Sequence, residues 1–174
     1  MAFINIEIKA RSSAAQQERI RAFMQEKRAD YRGKDHQVDT YFKVARGRLK
    51  LREGRIENHL IHYQRQNQAG PKQSEVMLYE SQPEKVKSLK AILEASLGVL
   101  SIVDKTRHIY YIGNVKFHLD EVQGLGHFAE IEAIDRTGNR DRVALLAQCE
   151  SYMRALGIDE TQLISESYSD LLLK

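Results

Sequence analysis

The chain has 174 residues, 42% of them hydrophobic and 29% charged, with a net charge of +3. That is enough chain to bury a core without disulfides or a structural metal, and the single Cys149 excludes an internal disulfide and a Cys-x-x-Cys zinc site. So mild a basic excess makes no case for nucleic acid. No apolar run reaches the length of a membrane span. One domain over 1–174 is expected, cytoplasmic, with no nucleic-acid or membrane partner.

Residues 2–11 alternate, with Ile4, Ile6 and Ile8 on one face and Asn5, Glu7 and Lys9 on the other, which predicts a strand with one apolar face. Ser13 offers an N-cap with Gln16 three residues on, and Ile20, Phe23 and Met24 mark a helix to about Lys27. Three strands follow between Tyr31 and Arg65, with turns at Arg46-Gly47 and Glu53-Gly54. Gly70-Pro71 lies in a loop, and Glu75 to Glu80 forms a short strand. Pro83 is expected to open a second helix carrying Val86, Leu89, Leu93 and Leu97, ended by Gly98. Three strands at about 99–112, 115–122 and 127–134 come next. A third helix then runs from Val143 through Cys149 to Leu156, and a short helical tail spans Tyr168 to Leu173.

Several strands share one design. Arg48, Lys50 and Arg52 lie opposite Leu49 and Leu51; Lys105 and Arg107 share a face; Lys116, His118 and Asp120 alternate with Val115, Phe117 and Leu119; Glu130 and Glu132 flank Ile131. An open sheet with a solvated face would explain the alternation. Same-sign runs argue against it, because like charges side by side repel. Many strands with few helices also suit a closed barrel, which has no exposed edges. With the charged face inward, the cations ask for an anion of several charges, and the paired carboxylates for a hard cation such as Mg²⁺. His59 and His62 fall on opposite faces of a strand and form no pair.

The segment Asn5-Ile6-Glu7-Ile8-Lys9 resembles the N-terminal ExExK strand of the CYTH superfamily, the triphosphate tunnel metalloenzymes. Six further segments resemble that family's landmarks in order: 37–42, 47–52, 63–65, 105–107, 120–122 and 126–132. The style of 37–42, of Gly70-Pro71-Lys72 and of the 166–170 tail is similar to the class IV adenylyl cyclase-like branch. The resemblance implies an α+β fold, with a closed eight-stranded antiparallel barrel forming a tunnel and helices packed outside. It implies conversion of ATP to cAMP and pyrophosphate with Mg²⁺ or Mn²⁺. The alternatives are hydrolysis of tripolyphosphate or thiamine triphosphate, or binding without turnover. A homodimer is compatible with it.

By the same resemblance Glu7, Glu130 and Glu132 are expected as metal ligands, and with Lys9 as the catalytic set. Asp120 either ligates metal or orients a basic residue. Lys9, Lys50, Arg52, Arg65, Lys105 and Arg107 are expected on the triphosphate, with Arg48 and Lys116 at its rim. Two departures stand out: Asn5 replaces the first glutamate, and residues 56–68 contain no lysine where triphosphatases of the family carry one.

Overall fold

In the computed structural model, which describes residues 3–65 and 67–174, alternation along the strands separates two interiors. The elements are β1 (Phe3–Arg11), α1 (Ala14–Glu26), β2 (Asp30–Phe42), β3 (Arg48–Glu53), β4 (His59–Gln64), β5 (Lys72–Glu80), α2 (Val86–Leu97), β6 (Val99–Ile112), β7 (Val115–Val122), β8 (Gly126–Asp135), α3 (Arg142–Ala155) and α4 (Tyr168–Leu172). The strands close into an antiparallel barrel in the order β1-β5-β4-β3-β2-β6-β7-β8.

The apolar faces look outward, under the helices. Ile6 and Ile8 of β1 pack with Phe117, Leu119 and Ile131 against Ile20 and Met24 of α1 and Leu145 and Cys149 of α3. A second outer layer sets the α2 stripe of Val86, Leu89, Leu93 and Leu97 on Phe42, Leu51 and Leu60. These stripes repeat at helical spacing, so each helix buries one face against the pleated wall. Ser13 starts α1 by accepting the Gln16 N–H at 3.1 Å. Burial pushes the Cys149 thiol up to about 12, which keeps it a packed, unreactive group.

Two boundaries differ from the sequence pattern. β5 begins at Lys72 rather than Glu75, because Lys72 and Ser74 pair with Glu7 and Asn5 of β1 and turn their side chains inward. Pro83 lies in a turn, and α2 begins at Val86 with no side-chain cap. No helix among the described residues is long and apolar enough to cross a membrane.

The two ends of the barrel differ. One end carries the β3–β4 connection, the start of β1 and the close of β8. The other is crossed by α4 and the segment before it. There the Ile164 N–H donates to Lys9 O at 3.0 Å, and Ser169 and Ser101 share a hydroxyl contact at 2.6 Å. Arg48 donates to Asp170 at 2.9 Å.

Candidate functional site inside the barrel

The inward faces are charged, and each same-sign run meets its counter-charge on a neighbouring strand. Asp39 of β2 stands opposite Arg52 of β3. Its carboxylate accepts from Arg52 Nε at 2.8 Å and Nη2 at 3.0 Å, from Lys50 at 2.9 Å and from Lys105 of β6 at 2.7 Å. Burial pushes the Asp39 carboxyl up, but Arg52, Lys105 and Lys50 outweigh it and hold it well below the usual range. Burial, with Arg52 and Arg107 nearby, lowers Lys105 to about 7 despite its bond to Asp39.

A second hub is Glu130 of β8. It accepts from Lys9 of β1 at 3.0 Å and from Arg107 of β6 at 2.8 Å, and pairs with His118 Nδ1 of β7 at 3.0 Å. Burial opposes its ionisation, and Lys9 and Arg107 overcome that, so its carboxyl lies well below the usual range. Glu132 sits one pleat along, 3.4 Å from the same His118 nitrogen. Burial and the Arg107 charge hold His118 below its ordinary value. Donor atoms of His118, Glu130 and Glu132 all lie within 4.8 Å of one another, a grouping that could hold a metal ion. Glu7 neighbours Glu132 across the β1–β8 ladder and forms an ion pair with Arg65. Asn5 lies on the same inward face, buried, and its Oδ1 has no partner among the described residues.

Asp120 stands apart from these carboxylates in its bonding. It takes Arg107 Nε at 2.6 Å and the Tyr168 hydroxyl at 2.7 Å, and so holds both groups against the barrel wall. Arg48 lies at the tail end, on Asp170. Lys116 pairs with Glu57, a buried residue of the β3–β4 connection.

Sequence reasoning gave no site role to Glu57, Lys72, His118 or Tyr168. Glu57 reaches the interior because buried Asp35 accepts the N–H groups of Arg55 at 2.7 Å, Ile56 at 3.2 Å and Glu57 at 3.3 Å. This folds the connection inward. Gly54 makes room for it, since a Cβ there would stand 2.5 Å from Asp35 Oδ2. Glu57 then accepts from Arg52 at 2.8 Å and from Gln37 at 3.1 Å. Lys72 is fully buried, donates to Ile164 O at 2.6 Å, and is lowered to about 7 by burial with Arg65 and Lys9 close by. Tyr168 places its ring 4.0 Å from the Lys9 ammonium.

Not all of the wall is charged. On β4 and β5 the inward residues Ile61, Tyr63, Val76 and Leu78 form adjacent pairs, Ile61 beside Leu78 and Tyr63 beside Val76. Phe3 pairs with Val76 and extends this patch towards the open end. The cavity between the charged and apolar walls has about 140 Å³ of accessible volume.

A closed antiparallel barrel lined with paired lysines, arginines and carboxylates, helices outside, defines a small class of tunnel proteins. Residues 4–168 match the CYTH domain family, and the chain belongs to it. Solved structures repeat the fold. The PH1012 protein of Pyrococcus horikoshii is 22% identical with a TM-score of 0.77, over 96% of this chain and 98% of that one. A candidate adenylate cyclase of Vibrio parahaemolyticus is 19% identical with a TM-score of 0.69, over 98% of each chain. A Hippeastrum protein, named as a candidate adenylyl cyclase with a dominant triphosphatase activity, is 14% identical with a TM-score of 0.66. That match covers 98% of this chain and 94% of that one. No curated protein matches the chain.

Proposed function

We propose that this protein is a divalent-metal-dependent enzyme that binds a triphosphate in the barrel, with conversion of ATP to cAMP and pyrophosphate as the first reading. The two-walled cavity carries it: cations on β1, β3 and β6 for a phosphate chain, and an apolar wall on β4 and β5 for the ring system attached to it. Lys9, Lys50, Arg52 and Arg107 hold the phosphates, trading their present carboxylate partners for phosphate oxygens. Lys105 supports them from behind Asp39, and Arg65 from the tail end beside Glu7.

Glu130 and Glu132, with Glu7 across the ladder, are the carboxylates that would hold Mg²⁺ or Mn²⁺. The unpartnered Asn5 oxygen and the clustered donors fit such an ion. When bound, it supplies charge neutralisation and alignment of phosphate oxygens. Asp120 fixes the Arg107 guanidinium and receives the Tyr168 hydroxyl, a positioning role. In cyclisation the ribose 3′-hydroxyl attacks the α-phosphorus and pyrophosphate leaves in line; the protein's part is positioning and electrostatics.

Hydrolysis at a terminal phosphorus is the second reading, and the triphosphatase activity in the name of the Hippeastrum neighbour favours it. Purified protein incubated with Mg²⁺ or Mn²⁺ and ATP, tripolyphosphate or thiamine triphosphate separates them. Cyclic AMP with pyrophosphate supports the first, orthophosphate the second. Tight binding without product marks a binding module, and no binding overturns the triphosphate reading.

Arg52→Ala is expected to weaken binding of tripolyphosphate about ten- to a hundredfold, since a charge-assisted hydrogen bond is worth about 1.5–3 kcal/mol. Orthophosphate should lose much less. Calorimetry giving equal losses for both ligands would remove Arg52 from the triphosphate contacts. Asn5→Glu restores a carboxylate on the Glu7 face and is expected to lower the Mg²⁺ or Mn²⁺ concentration for half-maximal activity, with Asn5→Ala doing the reverse or nothing. An unchanged metal titration would place the ion away from β1.

A further inference from the structure

We infer that His118 supplies an imidazole nitrogen to the metal site, so that the site selects a first-row transition ion such as Mn²⁺ or Co²⁺ over Mg²⁺. This rests on the metal-dependent reading and goes beyond it by adding a donor on β7 to the carboxylates of β8. His118 and Glu130 are directly opposed in the β7–β8 ladder. Nδ1 of His118 lies 3.0 Å from Glu130 Oε2 and 3.4 Å from Glu132 Oε1. Neighbouring donors on an octahedral ion with bonds of about 2.1 Å stand about 3 Å apart, close to both His118–glutamate separations, and the donor atoms of all three side chains lie within 4.8 Å of one another. His118 is 1% exposed, which fixes its ring in place. The 3.0 Å contact is a hydrogen bond that Nδ1–H donates to the Glu130 carboxylate; a metal ion would take the place of that proton, which Nε2, with no partner among the described residues, would then carry.

Glu130 Oε2 has a second lone pair beyond the one taken by Arg107, and Oε1 faces Lys9. On β1 the residue that would have brought a further negative oxygen is Asn5, a neutral amide. With fewer carboxylates and one imidazole, the donor set departs from the all-oxygen shell that Mg²⁺ demands. It resembles the mixed nitrogen–oxygen sets that transition ions accept.

The test measures ion binding directly, in the presence and absence of tripolyphosphate. Mn²⁺ binding is followed by loss of the free-ion resonance, and Mg²⁺ by competition. His118→Asn is expected to weaken Mn²⁺ and Co²⁺ at least tenfold and Mg²⁺ less than threefold. Pulsed electron resonance on the Mn²⁺-loaded parent protein should show a nitrogen-14 coupling that is missing in His118→Asn; the parent spectrum alone decides if the variant fails to fold. Mn²⁺ bound without nitrogen coupling, or equal losses for Mn²⁺ and Mg²⁺ in the variant, overturns the imidazole ligand while leaving metal dependence standing. No ion bound under either condition overturns both.

Discussion

Asp39→Asn is expected to destabilise the protein by about 3–5 kcal/mol, the usual cost of removing one partner from a buried charge cluster. Asp39 is 1% exposed and is the shared acceptor of Lys50, Arg52 and Lys105, so an amide there leaves three cations without their common counter-charge. In a chain of this size the melting temperature should fall by roughly 6–20 °C. The response depends on pH with a definite sign. Lys105, at about 7 in the parent, drops further when Asp39 is gone, whereas the Arg52 guanidinium cannot shed its proton. Below pH 7 the folded parent takes up a proton at Lys105 that the folded variant refuses, so the deficit is larger at pH 6 than at pH 8.5. Tripolyphosphate should restore more stability to the variant than it adds to the parent, because the anion replaces the lost carboxylate. Melts at the two pH values, with and without tripolyphosphate, check this; identical melting curves for variant and parent would deny Asp39 its central place.

Glu130→Gln is expected to reduce turnover at least about 100-fold while the barrel remains folded. The amide keeps an oxygen acceptor for Lys9 but loses the charge that opposes Lys9 and Arg107. The fold has a reserve here, since Arg107 retains its paired bonds to Asp120. On the proposed metal site, what disappears is an anionic ligand beside Glu132, and metal-borne charge stabilisation is worth several kcal/mol, or two or more orders of magnitude in rate. The test is kcat/KM at saturating Mn²⁺ together with a thermal melt. Activity within threefold of the parent would place the metal away from β8.

The barrel was legible because its strands alternate: Leu49 and Leu51 had to face helices, and that alone turned Arg48, Lys50 and Arg52 the other way. The inward-facing charges of β1, β3, β6, β7 and β8 follow from the same period-two rule. What alternation does not encode is pairing across strands. His118 was visible as a member of an alternating face, but its place beside Glu130 depends on the register of β7 against β8. Glu57 lies between strands, where no periodicity operates. Its inward turn is set by Asp35, 22 residues earlier, through backbone hydrogen bonds that no pattern of hydrophobicity records. Lys72 follows a Gly-Pro turn and read as loop, yet its ammonium is fixed by a carbonyl of the distant tail. The apolar wall was hidden for the opposite reason: Ile61, Val76 and Leu78 look like ordinary core residues until the closed barrel sets them facing inward.

On the proposed reading, the C-terminal segment across one end of the barrel imposes an order on traffic. The Tyr168 hydroxyl on Asp120 and the Ser169–Ser101 contact tie that segment to the barrel wall. A triphosphate entering at the other end would lead with its phosphates and leave its ring beside Phe3 and Leu78. Pyrophosphate, the deeper fragment, would then be the last to leave and the stronger inhibitor of the next round, competing directly with the incoming phosphate chain.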